Sequence, residues 1–290
     1  IASSLVGSEM CIRDRISSYG FAFGYLGGGL LFLINAAMTI KPEFFGLSSV
    51  ADAVRWSFLS VSVWWTLFLI PILLKIQDRG TNLPGSHFKL AYTKVFNTLR
   101  TVSAKKNVFI FLLAFFLYID GVHTIMAMAA DFALNLGLPS SDIIIALILV
   151  QFVAFPTTLM WSKFAYRFGD KNTLLFTISL YLIVIAYSAF LSNAIEFYIL
   201  ASMVGAIQGG IQSISRSYYA TLIPQDESGE YFGFYNMFGR AGAFMGPALV
   251  AIFVTFFQDT RYGLIPIAAL FIMGAIILLK VKTTHESIQS

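Results

Sequence analysis

Asp120 interrupts an apolar run at residues 107–129 (NVFIFLLAFFLYIDGVHTIMAMA), and His123 and Thr124 follow it by three and four positions. On a helix these positions share a face. A carboxylate beside an imidazole can carry a proton or hold a cationic group, so Asp120, His123 and Thr124 are candidates for a substrate or proton pathway. The competing reading is that Asp120 bonds backbone or a neighbouring helix and fixes packing. Gly121 beside it permits that close approach. Arg240 lies within another apolar run, residues 232–257. Its guanidinium fork suits a substrate carboxylate, but it could equally form a structural ion pair or snorkel to the membrane surface. Gln208, Gln212 and Ser215 recur at i, i+4 and i+7, a stripe that either lines an aqueous cavity or bonds two helices. Asn236, four residues before Arg240, extends a second stripe. Arg216 with Asp226, Glu227 and Glu230 marks a polar turn, read either as solvated charge or as a conformational latch.

Enzyme chemistry finds no footing. There is no GxSxG, P-loop, HExxH or glycine-rich dinucleotide turn. His87, His123 and His285 are far apart in sequence, and Cys11 is the single cysteine. Neither an internal disulfide nor a thiolate metal cage is possible. The sequence therefore calls for no metal site, no cofactor and no catalytic residue.

These side chains are positioned by an unusually apolar chain. Of 290 residues 58% are hydrophobic and 12% are charged, and the mean hydropathy is +0.78. Soluble domains carry roughly a quarter charged residues. A soluble enzyme, a disordered chain and a secreted disulfide scaffold are excluded, and the bilayer becomes the expected surrounding. Nineteen basic against fifteen acidic residues make no basic patch, so nucleic acid is not an expected partner.

A membrane-crossing helix needs about 20 apolar residues, and eight runs qualify: 19–40, 53–75, 107–129, 142–162, 173–192, 195–215, 232–257 and 262–280. Alternation at period two is absent, which argues against a transmembrane β-barrel. The predicted fold class is an all-α polytopic membrane protein. Eight spans put both ends on one side. Of the 19 Lys and Arg, Lys41, Arg55 and Arg261 fall on the opposite side and Arg240 falls in a span. The positive-inside rule then makes both ends cytoplasmic. Asp120 sits roughly 20 Å and Arg240 roughly 12 Å from the cytoplasmic ends of their spans at 1.5 Å per residue.

The domain division follows from these runs. Residues 1–15 are polar, lack an initiator methionine and read as a non-native scar. Residues 16–75 hold two spans. Residues 76–106 read as a cytoplasmic linker, in which Phe88, Tyr92, Val95, Leu99 and Val102 form the stripe of an amphipathic surface helix. Residues 107–283 hold six spans, and 284–290 form a cytoplasmic tail. Gly20, Gly24 and Gly28, Gly205 and Gly209, and Gly242 and Gly246 have the spacing of close helix crossings. Pro156, Pro247 and Pro266 are candidate bends.

Six spans after a long basic loop is the layout of the second half of a major facilitator transporter. Three stretches strengthen this: YIDGVHTI at 118–125, WSKFAYRFGDKN at 161–172, and QGGIQSISRSYYATLIPQDESGEYFGFYNMFGRAGAFMGP at 208–247. The second is similar to the superfamily's cytoplasmic loop motif, through Lys163, Arg167, Gly169, Asp170 and Lys171. The third resembles the signature of the vacuole effluxer-like, autophagy-related branch. The resemblance implies the major facilitator fold and a chain equivalent to spans five to twelve of twelve, without the first four. It also implies secondary active transport of a small solute, with amino acids and proton coupling as candidates, in a bacterial inner membrane. The other function class is a non-transporting membrane scaffold or channel. Under the transporter reading, Asp120, Gln208, Gln212 and Arg240 should converge on one cavity.

Overall fold

The computed structural model describes residues 2–75, 102, 105–224 and 228–282, with side chains from residue 15 on. Among these are eight α-helices: α1 Ala2–Ile40, α2 Val50–Lys75, α3 Lys106–Asn135, α4 Ser140–Phe168, α5 Asp170–Ser188, α6 Ala194–Leu222, α7 Ser228–Phe257 and α8 Leu264–Leu279. Short 3₁₀ turns at Pro42–Phe45 and Thr260–Gly263 precede α2 and α8. No strand occurs among the described residues. Eight helices are long and apolar enough to cross a bilayer. The chain is a multi-pass, all-α integral membrane protein. The amphipathic helix expected within 76–106 lies outside the described residues, apart from Val102, Lys105 and the start of α3, as do Asp226, Glu227 and the tail at 284–290.

The helix ends have local causes. Asn193 caps α6 by accepting the Glu196 N–H at 3.0 Å, while the Glu196 carboxylate accepts the Ser192 N–H at 2.8 Å. This reciprocal arrangement satisfies one backbone donor of the first turn and one just ahead of the cap. The predicted turn at 161–172 is corrected: Trp161–Phe168 is the last part of α4, and the break falls on Gly169 at φ +83°. Lys163 and Arg167 sit four apart on an exposed helix end, where charge does not stop a helix. Asp170 then opens α5, where a carboxylate suits the positive end of the helix dipole. Pro266 is also corrected. It is the third residue of α8, within the first turn, where a missing N–H breaks no internal bond. Among the described residues, Pro71, Pro156 and Pro247 are the prolines inside helices.

The chain divides into two compact units, Ile1–Tyr25 with Val95–Ser290, and Leu26–Lys94. In the first, α3 lies against α7 and α8, α4 against α6, and α5 against α6 and α8. Glycine makes the closest crossings possible. A Cβ at Gly205 would lie 2.7 Å from the Val150 carbonyl oxygen, and one at Gly209 would overlap the Thr158 hydroxyl. Trp161 Nε1 donates to the Ala206 carbonyl at 2.7 Å and ties the same pair, α4 and α6, together. Aromatic rings fill the space around α3. Phe115 stacks on Tyr235 at 4.1 Å, Phe111 on Tyr219 at 5.7 Å, and Tyr181 on Phe271 at 4.9 Å. Lys171 Nζ donates to the Leu279 and Val281 carbonyls at 2.9 and 2.6 Å, and the Asn107 carboxamide bonds both the N–H and the C=O of Lys282 at 2.7 Å.

In the second unit, Ser60 on α2 donates to Asn35 Oδ1 on α1 at 2.9 Å, and Trp64 approaches Gly27. Ala53 is the buried residue of α2, while Phe58, Trp65 and Leu74 are exposed. That is the outward composition a lipid-facing helix needs.

Candidate solute cavity

A cavity of about 670 Å³ opens within the first unit. Its walls come from α1 (Ile16, Ser17, Gly20, Phe21, Gly24, Tyr25), α3 (His123, Met126), α4 (Gln151) and α6 (Gln208, Gln212, Arg216). The contributions of α1, α3 and α6 recur at three or four residues, the spacing of one helical face. The spacing of Gly20 and Gly24 predicts close packing, but a Cβ at either would meet open space. Their missing side chains keep the cavity wide instead of bringing two helices together.

The α6 stripe is present in altered form. Gln208 and Gln212 line the cavity, and the next residue on the wall is Arg216, not Ser215. Ser215 is fully buried, shares a hydrogen bond with the Tyr118 hydroxyl at 2.6 Å and donates to the Ile211 carbonyl. Steps of four residues drift by about 40° on a 3.6-residue helix, which carries the wall from Gln208 outward to exposed Arg216. The Arg216 guanidinium lies 5.0 Å above the Phe232 ring. Its predicted association with Asp226 and Glu227 falls outside the described residues. Gln212 Oε1 accepts from the Tyr25 hydroxyl at 3.3 Å. Ser17 Oγ donates to the Ser213 carbonyl at 3.0 Å, and Ser18 Oγ to Ser213 Oγ at 3.4 Å.

Two lining side chains carry buried atoms without a hydrogen-bond partner among the described residues. They are Gln208 Oε1, on a residue 2% exposed, and His123 Nδ1. Buried polar atoms are nearly always paired with protein or water, so these two stand out as unsatisfied groups on cavity-lining residues.

The structure separates the trio on α3. Asp120 is fully buried, and its Oδ1 accepts the Gly246 N–H of α7 at 3.0 Å. Thr124 is also fully buried, and its hydroxyl donates to the Asp120 carbonyl at 2.7 Å. His123 turns to the cavity. Positions i+3 and i+4 lie about 60° and 40° to opposite sides of residue i, enough to place the three in different interfaces. Arg240 and Asn236 are exposed on α7 and line neither this cavity nor the apolar pocket described below. The expected convergence of Asp120, Gln208, Gln212 and Arg240 is therefore corrected: the two glutamines meet, with His123, and the other two stand apart.

In the loop motif, Lys163 and Arg167 are exposed, with the Arg167 guanidinium 5.6 Å above the Phe168 ring. Gly169 supplies the left-handed turn, Asp170 is buried at the start of α5, and Lys171 holds the end of α8. Three lining polar residues were missed. Gln151 had a signal, a lone carboxamide within IIIALILVQFVAF. Ser17 and Tyr25 had none, since hydroxyls are common along membrane helices.

A bundle of long apolar helices around a cavity lined in part by polar side chains defines a polytopic membrane protein. The family model described as vacuole effluxer Atg22 like matches residues 2–289, and the chain belongs to that family, a branch of the major facilitator transporters. The chain is 36% identical to the uncharacterized MFS-type transporter YxiO of Bacillus subtilis, over 91% of this chain and 62% of that protein. It is 26% identical to autophagy-related protein 22-2 of Emericella nidulans, over 94% and 52%. Autophagy-related protein 22 of Yarrowia lipolytica is also 26% identical, over 87% and 47%. The chain thus spans about half to three-fifths of the length of the curated relatives it matches.

Proposed function

We propose that this chain is part of a secondary transporter that moves a small polar solute by alternating access, with the 670 Å³ cavity as its binding site. The observation that carries this is the pair of unpartnered buried atoms, Gln208 Oε1 and His123 Nδ1, on the walls of one cavity. His123, Gln208 and Gln212 contact the solute. Asp120 and Thr124 hold α3 to α7, and any proton coupling is assigned to His123, the titratable group on the α3 wall. Asn236 and Arg240 form a separate polar face of α7. Amino acids are the proposed solute class, since carboxamides and hydroxyls pair with both the ammonium and the carboxylate of a zwitterion. The relatives' printed names, an effluxer family and an MFS-type transporter, support transport over a scaffold or channel.

Residues 107–283 are proposed as the six-helix half of the transporter, 16–75 as two helices of the other half, and 76–106 as the connecting linker. Mutual packing of α3–α8 supports this. The basic loops support cytoplasmic ends, and the Bacillus subtilis relative supports a bacterial inner membrane. The test is uptake of a panel of radiolabelled amino acids into proteoliposomes holding the whole native reading frame. Saturable flux that Gln208→Leu reduces about tenfold or more, the loss of one or two hydrogen bonds to a bound polar group, supports the proposal. Absence of flux from correctly inserted protein, or flux unchanged by Gln208→Leu, overturns it.

A further inference from the structure

A second cavity, of about 390 Å³, lies among α3, α5, α6, α7, the 3₁₀ turn Thr260–Gly263 and α8, near the Asn135 end of α3 and away from the Gly169 turn. It shares no lining residue with the solute cavity. Its inner wall is apolar, with Phe132, Phe197, Val250 and Ile267 among its residues. Apolar cavities of this kind stay dry and take apolar ligands, and the volume falls within the range of small-molecule sites. The mouth is polar. Asp131, Asn135 and Thr255 line it and are exposed. Among the described residues, Asp131 is the one lining residue of full charge, and no Lys, Arg or His lines the cavity. Nearby Arg261 is directed elsewhere, its guanidinium donating to the Leu191 carbonyl at 3.4 Å. Asn135 Nδ2 donates to Asp131 Oδ2 at 3.2 Å. That uses one of about four acceptor positions on a carboxylate. The rings of Phe132 and Phe197 add faces that attract a cation.

We infer that this cavity binds a compact hydrophobic amine, with its apolar body among Phe132, Phe197, Val250 and Ile267 and its ammonium against Asp131. The site is built from the later helices and the turn before α8, and it shares none of its described lining residues with the solute cavity. A ligand seated there touches five helices at once and resists their relative movement.

Three ligands with one body and different heads test this: 1-adamantanamine, 1-adamantanol and adamantane-1-carboxylate. Binding to the full chain in detergent micelles is followed by saturation-transfer NMR, with empty micelles as the partition control. The amine should bind saturably, about fivefold or more tighter than the carboxylate, the scale of one exposed charge-assisted contact. Asp131→Asn, at an exposed position, should bring the amine to the level of the alcohol. Ala129→Phe, which fills the cavity from α3, should remove binding of both. Equal binding of all three, binding of none, or amine binding unchanged by Asp131→Asn overturns the inference. The Asp131 outcome decides the matter even if the phenylalanine variant does not fold.

Discussion

The Asp120 side chain on α3 accepts a hydrogen bond from the backbone N–H of Gly246 on α7, at 3.0 Å. The bond sits at the tightest part of the α3–α7 crossing. A Cβ at Gly242 would lie 3.1 Å from the Phe116 carbonyl oxygen and 3.2 Å from Asp120 Cβ, and one at Gly246 would overlap the Thr124 hydroxyl. The carboxyl group is thus part of a backbone-to-backbone contact, one residue before Pro247, where α7 lacks an internal N–H.

Gly246→Ala should therefore destabilise the chain by about 1–3 kcal/mol, the range for overpacking a tight contact. Asp120→Asn keeps an acceptor oxygen and should cost less than Asp120→Leu, which leaves the Gly246 donor without its interhelical partner. Thermal unfolding in detergent, followed by tryptophan fluorescence, gives the order. Equal midpoints for Asp120→Asn and Asp120→Leu would show that the bond contributes nothing.

Glycines within helices should behave oppositely according to what they face. Gly205→Ala drives a methyl to 2.7 Å from the Val150 carbonyl oxygen, which is backbone and cannot swing aside. A lower melting temperature is expected. Gly233→Ala on α7 meets nothing within 4 Å, and alanine exceeds glycine in helix propensity by about 1 kcal/mol. That variant should be neutral or more stable in the same assay.

The spans were legible because apolar length is set by the bilayer and survives any detail of packing. Their ends were less so. Lys163 and Arg167 look like a loop, yet a helix protruding from its apolar stretch tolerates charge, and Gly169 alone carries the break. The candidate site was half legible. Gln208 and Gln212 stand out as carboxamides in an apolar run and do share a cavity. Asp120 stands out for the same reason, but sequence spacing does not say which of two interfaces a side chain enters when they lie about 60° apart on one helix. Tyr25 and the space left by Gly24 depend on where α1 lies, which no local pattern encodes.

The single cysteine allows a direct test of which residues face the solute cavity. With Cys11 replaced by serine, cysteine at Gln212 or Gly24 should react with a membrane-impermeant thiosulfonate. Cysteine at Asp120 or Ser215, both fully buried outside that cavity, should stay unlabelled. Rapid labelling at Asp120 would place it on the pathway and restore the coupling role that its depth first suggested.

Lys171 and Asn107 converge on the last turn of α8 and the residues after it. Lys171→Met together with Asn107→Ala removes four hydrogen bonds there. Amide exchange at residues 279–282 should accelerate by about tenfold or more if each bond is worth about 1 kcal/mol. Exchange within α3 should stay unchanged, which separates local fraying from general unfolding.

The walls of the solute cavity are fastened in two different ways. The Gln151 and Gln208 sides belong to α4 and α6, joined where Gly205 lies against the Val150 backbone and Gly209 and Gly210 against the Thr158 and Trp161 side chains. The first part of α1 holds to α6 through the hydroxyls of Ser17, Ser18 and Tyr25, two of these bonds at 3.3 Å or longer. One side is stiff, since moving it means reopening a close-packed seam. The other is compliant, because hydroxyls re-form bonds with water or with the next carbonyl at little cost. If the cavity takes a solute as proposed, strain from one too large for it would therefore be relieved on the α1 side first, where three hydroxyls let go before a close-packed seam does.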